Sequence, residues 1–584
     1  MQSYDEVPQF GMGVLAILTG TIAGFGAVFF RMMIGFVHNL LFLGQINVFY
    51  DANIHTPAGP LGYLVILVPV AGAIVVTFLV KNFAPEARGH GVPEVMEAIY
   101  LKDGKIRPVV AVIKSLASAI SIGSGGSVGR EGPIVQIGSA FGSMLGQIVK
   151  MPVRQRNILI AAGAAGGIAA TFNTPIGALA FGIELMLASV TAASLFPVAI
   201  ATVTATYIGR IFLGTTPSFY IPELTIPTFH LMPLRELAIF IPFGLLLGLC
   251  SVVFIRGLYW SEDLFDKIPG NYYTRHVLGM FVLGVLIYCM MRFTGHYYVQ
   301  GVGYATIVDI LKGLLTNPWF LLLLVAMKLL ATFLTLGSGA SGGIFSPSLF
   351  LGATLGGAFG LFLQQLFPGI TVQPIVFAMA GMAGMVGGTT GAVLTGAIMV
   401  IEMTSDNNVV LPIIITVTIA YAVRKVLSNE SVYTLKLLRR GEVVPEGLQS
   451  AVISSKRASN VMNRNFRLAT RTEIAVDQLH YFNEEAAKTL TVMFDDEDKI
   501  EGLFCYPVAQ NNGDKDDPDT YRNENFLIVS AEAKMPDVLR SMKLKGVAYA
   551  IVTSPFMSEK ATDVIGVISE RDILESHLQS IWLL

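Results

Sequence analysis

The stretch "GSGGSVGREGP", from Gly123 to Pro133, places an Arg–Glu pair on a glycine-rich backbone between two long apolar runs. It belongs to a longer segment, "SIGSGGSVGREGPIVQIGSAFGSMLG" (Ser121 to Gly146). That segment aligns without a gap with "TLGSGASGGIFSPSLFLGATLGGAFG" (Thr335 to Gly360), at a constant offset of 214 residues. Chance does not produce such a match, so this part of the chain is an internal repeat.

A second group of matches extends the repeat. Its offset is 218 residues, and it pairs Gly163, Gly166, Ile183 and Glu184 with Gly381, Gly384, Ile401 and Glu402. We place the first repeat at about residues 10–225 and the second at about residues 226–440. Internal repeats with Gly- and Pro-broken segments in corresponding positions are typical of transporters and channels, whose substrate site lies where the broken helices meet.

The composition indicates whether the chain lies in water or in a lipid bilayer. Of 584 residues, 53% are hydrophobic and only 14% are charged, and the mean hydropathy is +0.63. These values indicate a membrane protein rather than a soluble one. The net charge of −2 does not indicate a nucleic-acid partner. Cys250, Cys289 and Cys505 are too few and too scattered for a disulfide framework or a metal site.

Several apolar runs are long enough to be membrane spans. The run Leu61 to Val80 carries no charge, and about 20 such residues cross a bilayer core of roughly 30 Å. The first run, near Val14 to Phe30, lacks the basic region of a cleaved signal, so we expect a retained span. Other runs lie near Leu237–Phe254, Val277–Tyr288, Phe320–Leu336 and Val409–Ala422. We therefore expect a multi-pass protein of the plasma or inner membrane.

Beyond residue 440 the composition changes to charged and mixed residues. We predict a linker over residues 441–455 and a soluble α+β domain over residues 456–584. Lys436, Arg439 and Arg440 follow the last apolar run, which favours a cytoplasmic location for that end of the chain. A simple solvated helix end is the alternative interpretation of this basic cluster.

The repeated motif has the chemistry of an anion site. Glycines allow a close approach of backbone amides, and Pro133 and Pro347 suit the first turn of a helix. A helix that starts there directs free N–H groups and its positive dipole end at a ligand, which favours an anion. Glu131 is itself an anion, so it can occupy the site and act as a gate that swings or protonates. The alternative is that Glu131 pairs with Arg130 or caps a helix.

These residues resemble the ClC family of chloride channels and chloride/proton exchangers. Three segments are similar to its anion-binding segments, in the family's order: "GHGVP" (Gly89 to Pro93), "GREGP" (Gly129 to Pro133) and "GIFSP" (Gly343 to Pro347). "FNTPIGALAFGIE" (Phe172 to Glu184) and "SVYTLKLL" (Ser431 to Leu438) resemble its other landmarks. The resemblance implies an all-α polytopic membrane protein with two inverted repeats, assembled as a homodimer in the bilayer, with one chloride pathway per subunit.

The resemblance also implies roles for single residues. Gly129, Arg130, Glu131 and Gly132 match the anion-binding segment that holds the gating glutamate, Glu131. The backbone amides of Ile344 and Phe345 match those that hold the central anion. Tyr433 matches the tyrosine whose hydroxyl contacts the same ion, whereas an interfacial aromatic anchor is the alternative for an isolated Tyr after a last span.

Two positions depart from the family pattern. His90 stands where the family commonly has a serine that contacts the anion, so it either adds pH sensitivity or contributes only its backbone. Leu185 stands where family exchangers have the glutamate that delivers intracellular protons, and Leu cannot carry a proton. Glu184 is no obvious substitute, because neighbouring residues on a helix point in different directions. We therefore predict a passive, channel-like protein, with a chloride/proton antiporter that uses another proton route as the alternative.

The soluble part resembles a pair of CBS motifs. "GVISERDIL" (Gly566 to Leu574) is similar to the end of such a motif, and "VMNRNF" (Val461 to Phe466) to the start of another. The resemblance implies that Ser569 and Asp572 hold the ribose of an adenine nucleotide. The alternative is a packing and dimerisation module in which Ser569 caps a helix.

Enzymatic functions have weaker signals, and no cofactor is required for transport. An intramembrane serine protease with Ser341 as the nucleophile needs a nearby base. After Ser341 the only histidines are His480 and His577, both in the soluble part. A phosphate-binding loop is also disfavoured, because "GSGGSVGREG" lacks the Gly-Lys-Ser/Thr ending. We therefore expect no enzymatic activity.

Overall fold

The computed structural model describes residues 6–188, 190–219, 232–369, 372–406, 408–442, 444, 457–470, 473, 490–504, 522–523, 525–554, 557–569 and 571–573. The chain divides into two compact units, Met1–Glu442 and Val443–Leu584. Most of the predicted linker lies outside the described residues. So do the predicted boundary between the repeats, at residues 225–226, and Cys505.

Among its described residues, the named elements of the first unit are helices, joined by loops and turns. Its helices are α1 (Gln9–His38), α2 (Val68–Phe83), α3 (Val92–Leu101), α4 (Pro108–Gly123), α5 (Glu131–Ile148), α6 (Val153–Phe172), α7 (Pro175–Phe181), α8 (Ala192–Leu213), α9 (Leu234–Leu237), α10 (Phe240–Lys267), α11 (Tyr272–Thr294), α12 (Tyr304–Leu311), α13 (Pro318–Gly337), α14 (Phe345–Leu366), α15 (Pro374–Thr390), α16 (Val393–Thr404), α17 (Val410–Leu427) and α18 (Val432–Arg439). Proline opens several of them, including α4, α7, α13 and α15. Its fixed φ suits the first turn, where the missing N–H has no intrahelical partner.

Eight of the described helical segments are long and apolar enough to cross a membrane, and four shorter apolar helices lie between them. Every long apolar run predicted from the sequence falls within one of the eight, to within one residue at its start. The expectation of an integral multi-pass protein is confirmed. The core lies around α6 and α15, which are buried along nearly their whole length. Because both are rich in Gly and Ala, neighbouring helices approach them closely.

The internal repeat is visible in the helix order and in the contacts. Helices α3–α8 correspond in order to α12–α17. Gly138 of α5 crosses Gly163 of α6, where a Cβ on either glycine would lie 2.1 Å from the carbonyl oxygen of the other. The equivalent crossing of α14 and α15 joins Gly352 and Gly381, with distances of 2.1 and 2.2 Å. The glycines shared by the two halves are therefore the contact points of equivalent helix pairs.

Two repeated glutamates tie the halves together. Glu402 of α16 accepts hydrogen bonds from the backbone N–H groups of Ile176 and Gly177, at 3.1 and 2.6 Å. In the mirrored contact, Glu184 accepts from the N–H groups of Leu394 and Thr395, at 2.9 and 2.8 Å. Each carboxylate thus caps the first turn of the short helix in the opposite half, where negative charge is favourable.

The second unit contains two small sheets with similar pairing. The strands are β1 (Phe466–Thr470), β2 (Leu490–Phe494), β3 (Ile500–Phe504), β4 (Arg522–Asn523), β5 (Phe526–Ser530), β6 (Tyr549–Thr553) and β7 (Val564–Ser569), with helices α19 (Ala458–Val461) and α20 (Met535–Lys545). One sheet has the order β1-β2-β3-β4 and the other β5-β6-β7. In each, a parallel pair is followed by an antiparallel pair. Buried apolar residues such as Val552 and Ile568 form the core.

Candidate functional site

The glycine-rich loops that precede α3, α5 and α14 meet inside the first unit. Gly129 and Gly343 exchange both of their backbone hydrogen bonds, each 2.7 Å long. Because the two residues are equivalent in the repeat, corresponding loops of the two halves meet directly at this pair. Gly89 joins from the third loop: its N–H donates to Ala340, and its carbonyl accepts from Gly342.

Two buried lysines at equivalent repeat positions fix further glycine turns. Lys114 of α4 donates to the carbonyls of Ala87 and Gly89, at 3.0 and 2.6 Å. Lys328 of α13, which lies 214 residues later, donates to the carbonyls of Val299 and Gly301, at 3.2 and 2.9 Å. Both lysines have no exposed surface. The carbonyl oxygens satisfy the donors of each buried amine, as burial of a polar group requires.

The carboxylate of Glu131 occupies the position expected for an anion at the start of α14. Its Oε1 accepts a hydrogen bond from the Tyr304 hydroxyl at 2.7 Å and another from the Ser346 hydroxyl. Its Oε2 accepts from the backbone N–H of Ser346 at 3.3 Å. Glu131 is only 3% exposed. The helix N-terminus and the two hydroxyls therefore bind a carboxylate as they would bind any small anion.

Gly129 makes room for this conformation. A Cβ at that position would lie 2.0 Å from Oε2 of Glu131. The N–H of Gly129 is bonded to Gly343, so Gly129 contributes space rather than an amide donor. The predicted place of Gly129 in the anion site stays a prediction.

Arg130 does not pair with Glu131 among the described contacts. Its guanidinium lies over the rings of Phe172 and Tyr304, 5.5 and 5.2 Å from their centroids. Arg130 and Arg31 both line an open cleft that also contacts Tyr304. We therefore expect Arg130 to attract anions towards the site from this cleft rather than neutralise the carboxylate.

The backbone amides predicted to hold the central anion are available. The N–H groups of Ile344 and Phe345 stand at the start of α14 and donate no hydrogen bond to the described part of the chain. The N–H of Gly132, in the first turn of α5, likewise donates no hydrogen bond to the described part of the chain. Free amides at a helix start are the donors expected of an anion site built from backbone.

Tyr433 and His90 lie side by side next to these loops. Tyr433 is in the first turn of α18, which is capped by Ser431, and is 2% exposed. The rings of His90 and Tyr433 are 6.0 Å apart. The Tyr433 hydroxyl makes no hydrogen bond with the described residues, so it remains free to donate to an ion.

Comparison with known proteins supports the same assignment. The sequence profile described as Voltage gated chloride channel matches residues 72–425. The H(+)/Cl(-) exchange transporter ClcA of Vibrio parahaemolyticus is 33% identical over 438 residues, which are 74% of this chain and 90% of that protein. This chain belongs to the voltage gated chloride channel family, the ClC family.

Solved structures share the fold of this chain. A slow cyanobacterial Cl-/H+ antiporter matches with a TM-score of 0.63 and 28% identity, over 75% of this chain and 99% of that one. A eukaryotic CLC transporter matches with a TM-score of 0.62 over 96% of this chain and 97% of that one. At 19% identity the second likeness shows the fold alone.

In this ClC protein Leu185 is half-buried and lies on the π-helical turn Gly182–Met186. The carboxylate of the neighbouring Glu184 is engaged in capping α16. Ser341, the alternative nucleophile, donates its hydroxyl proton to the Ala87 carbonyl at 2.7 Å and is fully buried. A hydroxyl in this position is not activated by a base, so the structure gives the protease alternative no support.

Several residues that shape this ClC site were not predicted from the sequence. Tyr304 and Ser346 bind Glu131, Lys114 and Lys328 hold the glycine turns, and Tyr259 contacts His90. The two lysines stand at the repeat offset, so the alignment of the halves contains a signal for them. Tyr259 and Tyr304 have no local signal, because their partners are distant in sequence.

In the second unit, Ser569 and Asp572 bond to each other. The Ser569 N–H and hydroxyl both donate to the Asp572 carboxylate, at 2.8 and 2.5 Å, and the Asp572 N–H donates to the Ser569 oxygen at 3.2 Å. This is the reciprocal pattern of a capping box. The predicted ribose contacts are therefore engaged in a helix start in this structure.

Proposed function

We propose that this ClC protein exchanges chloride for protons across the membrane, with Glu131 as the gate for both ions. The observation that carries the proposal is a buried carboxylate held as an anion by Tyr304, Ser346 and the start of α14. An ionised Glu131 and a chloride ion compete for such donors. Protonation removes the charge of Glu131, so a proton arriving at the carboxylate opens the site to chloride.

The central anion site lies next to this gate. We propose that the amides of Ile344 and Phe345 and the hydroxyl of Tyr433 hold one chloride there, with the imidazole of His90 alongside. Neutral donors bind an anion without the full positive charge that would prevent its release. The activity named for the relatives supports exchange, since the Vibrio protein and the cyanobacterial protein are both described as proton-coupled chloride transporters.

Passive, channel-like conduction is the second candidate, and Leu185 favours it. An apolar side chain at this half-buried position offers protons no carrier. The relatives favour exchange over this interpretation. If the protein proves to be a channel, Leu185→Glu is the substitution expected to introduce proton movement.

The experiment is a simultaneous record of chloride and pH in proteoliposomes that contain the purified full-length protein. We expect an imposed chloride gradient to drive protons uphill, and a proton gradient to drive chloride. Chloride flow that follows the electrical potential and moves no protons would establish the channel instead. The absence of chloride flow in either direction would rule out both.

Tyr433→Phe should weaken chloride binding more than it slows flux. The hydroxyl has no protein partner among the described residues, so its loss removes one donor to the ion and leaves the fold unchanged. One neutral hydrogen bond corresponds to about 0.5–1.5 kcal/mol, or roughly a two- to tenfold change in affinity. Calorimetric titration with chloride measures this change. Tyr207→Phe, at a residue that is 67% exposed, is the matched control. Equal affinities of Tyr433→Phe and the wild type would make Tyr433 structural.

We further propose a homodimer whose second unit is a cytoplasmic CBS pair. The two sheets support the pair, since each joins a parallel and an antiparallel strand pair in the same order. The basic cluster at the end of α18, formed by Lys436, Arg439 and Arg440, supports the cytoplasmic side. An adenine nucleotide would have to displace the Ser569–Asp572 contact, and calorimetry with ATP and AMP tests whether one binds.

A further inference from the structure

The imidazole of His90 has one satisfied and one unsatisfied nitrogen. His90 is 1% exposed. Its Nε2 lies 3.3 Å from the hydroxyl oxygen of Tyr259, and that hydroxyl donates to the carbonyl of Val432. Nδ1 is buried and has no hydrogen-bond partner among the described residues. A buried polar nitrogen without a partner is unfavourable unless a ligand completes it.

The contacts of Tyr259 determine where a neutral His90 carries its proton. A tyrosine hydroxyl has a single proton, and a carbonyl can only accept one. Because the proton of Tyr259 goes to Val432, the hydroxyl oxygen must accept at its other contact, and Nε2 of His90 must donate. The neutral imidazole therefore has its hydrogen on Nε2 and a bare electron pair on Nδ1.

Nδ1 and the Tyr433 hydroxyl are unpartnered polar atoms on adjacent rings, 6.0 Å apart between centroids. A bare electron pair repels an anion held by Tyr433 and by the amides of Ile344 and Phe345. A protonated Nδ1 instead donates an N–H to that anion and adds a positive charge beside it. The protonation state of His90 therefore decides whether this side of the site opposes or favours the anion.

The charges around His90 make its protonation dependent on the anion. Three cations act on the ring: Lys114 of α4, Lys436 of α18 and Arg440, which directly follows α18. Two tyrosines face it, Tyr259 of α10 and Tyr433 of α18. Glu94 of α3 is paired to Lys436 and Arg440. Burial and these cations oppose a further positive charge. A chloride beside Nδ1 offsets them.

We propose that Nδ1 of His90 is a second proton-binding site, which fills together with the central anion. The proposal rests on the proposed function only in requiring that an anion binds at Ile344, Phe345 and Tyr433. Binding is reciprocal by linkage: a proton on His90 raises anion affinity, and the anion raises proton affinity. The pair would enter as a neutral unit, which gives protons a titratable carrier at the central site although Leu185 has replaced the usual internal acid.

Proton uptake on chloride binding tests the proposal. The measurement uses full-length Glu131→Gln protein, in which the gate cannot contribute a proton. Calorimetric titration with chloride near pH 6, in two buffers of different ionisation enthalpy, gives the protons taken up per ion. We expect a clear fraction of one proton, and an affinity that rises as the pH falls from 8 to 5.5, approaching about tenfold per pH unit at full linkage.

Two substitutions in this background separate the proton site from a structural role. His90→Gln keeps a donor for Tyr259 without a titratable group, and it should abolish both the uptake and the pH dependence. Tyr259→Phe keeps His90 but removes the contact that holds the hydrogen of the neutral ring on Nε2. The neutral ring can then carry its hydrogen on Nδ1 and donate it to the anion. We expect the uptake to fall there as well, although the histidine remains.

His276 provides the matched control. It is 1% exposed, its Nδ1 contacts Ser338 at 3.0 Å and its Nε2 lacks a partner, yet it stands on α11 beside Tyr272 rather than Tyr433. His276→Gln should preserve the uptake. The proposal is overturned if Glu131→Gln takes up no protons, if it binds no chloride at any pH, or if the uptake survives His90→Gln. If chloride binding takes up protons while the proteoliposomes move none, chloride/proton exchange is ruled out and the proposed proton site at His90 is retained.

Discussion

Glu131→Gln should reduce proton transport to the level of empty vesicles while chloride still crosses the membrane. All three donors around this side chain give their hydrogens to its carboxylate: the hydroxyls of Tyr304 and Ser346 and the N–H of Ser346. A glutamine presents an NH₂ group to at least one of them, so it loses acceptor capacity and gains a repulsive contact. The neutral side chain therefore leaves the site to chloride, as a protonated glutamate would.

The measurement is the pH and chloride record in proteoliposomes, for the wild type and the variant at several external pH values. In the variant, chloride flux should also lose the part of its pH dependence that arises from protonation of Glu131. Glu402→Gln is the matched control, because Glu402 also accepts backbone N–H groups at a helix start but belongs to the tie between the halves. If Glu131→Gln moved as many protons per chloride as the wild type, Glu131 would be a structural cap and the proposed gate would be lost.

The start positions of the site helices are predictable from the sequence, because they depend on local backbone chemistry. Glycine and proline mark the places where α5 and α14 begin, at Glu131 and Phe345. The repeat then makes each half a check on the other. For the same reason the sequence places the free amides of Ile344 and Phe345 correctly at a helix start.

The partners of the functional side chains are not predictable in this way. Tyr304 is 173 residues from Glu131 in the chain, and Tyr259 is 169 residues from His90. Neither tyrosine belongs to a motif, and either could have been a membrane anchor by its sequence alone. The question left open for His90, whether its ring or only its backbone matters, depends on which nitrogen is bonded. Only the contact between Tyr259 and Val432 decides that.

The contacts of Glu184, the neighbour of Leu185, are likewise not predictable from the sequence. The sequence shows that Leu185 cannot carry a proton and that Glu184 points elsewhere, but it does not show where. In the structure Glu184 caps α16 and Glu402 caps α7, so each repeated acid holds a helix start in the opposite half. An exchanger with leucine at position 185 needs a proton carrier elsewhere, which is the role that we propose for His90.

Gly352→Ala and Gly138→Ala should each destabilise the protein, although the same change usually stabilises a helix. Within a helix, alanine is favoured over glycine by about 1 kcal/mol. Here the new methyl group would lie 2.1 Å from the carbonyl oxygen of Gly381 or Gly163, so the paired helices must separate. Overpacking of this kind destabilises by about 1–3 kcal/mol. Over most of that range the cost is larger than the gain in propensity. Thermal unfolding in detergent, followed by the loss of the monodisperse elution peak, measures the net effect.

The repeat gives this prediction an internal test. Gly138 and Gly352 make equivalent crossings in different halves, so their effects should be similar in size and add in the double variant. Gly369→Ala is the control, because no atom lies within 4 Å of a Cβ there. Unchanged unfolding in both single variants would show that the crossings tolerate a wider spacing. An effect in only one half would mean that the two halves, although equivalent in sequence, are packed to different tolerances around the site they share.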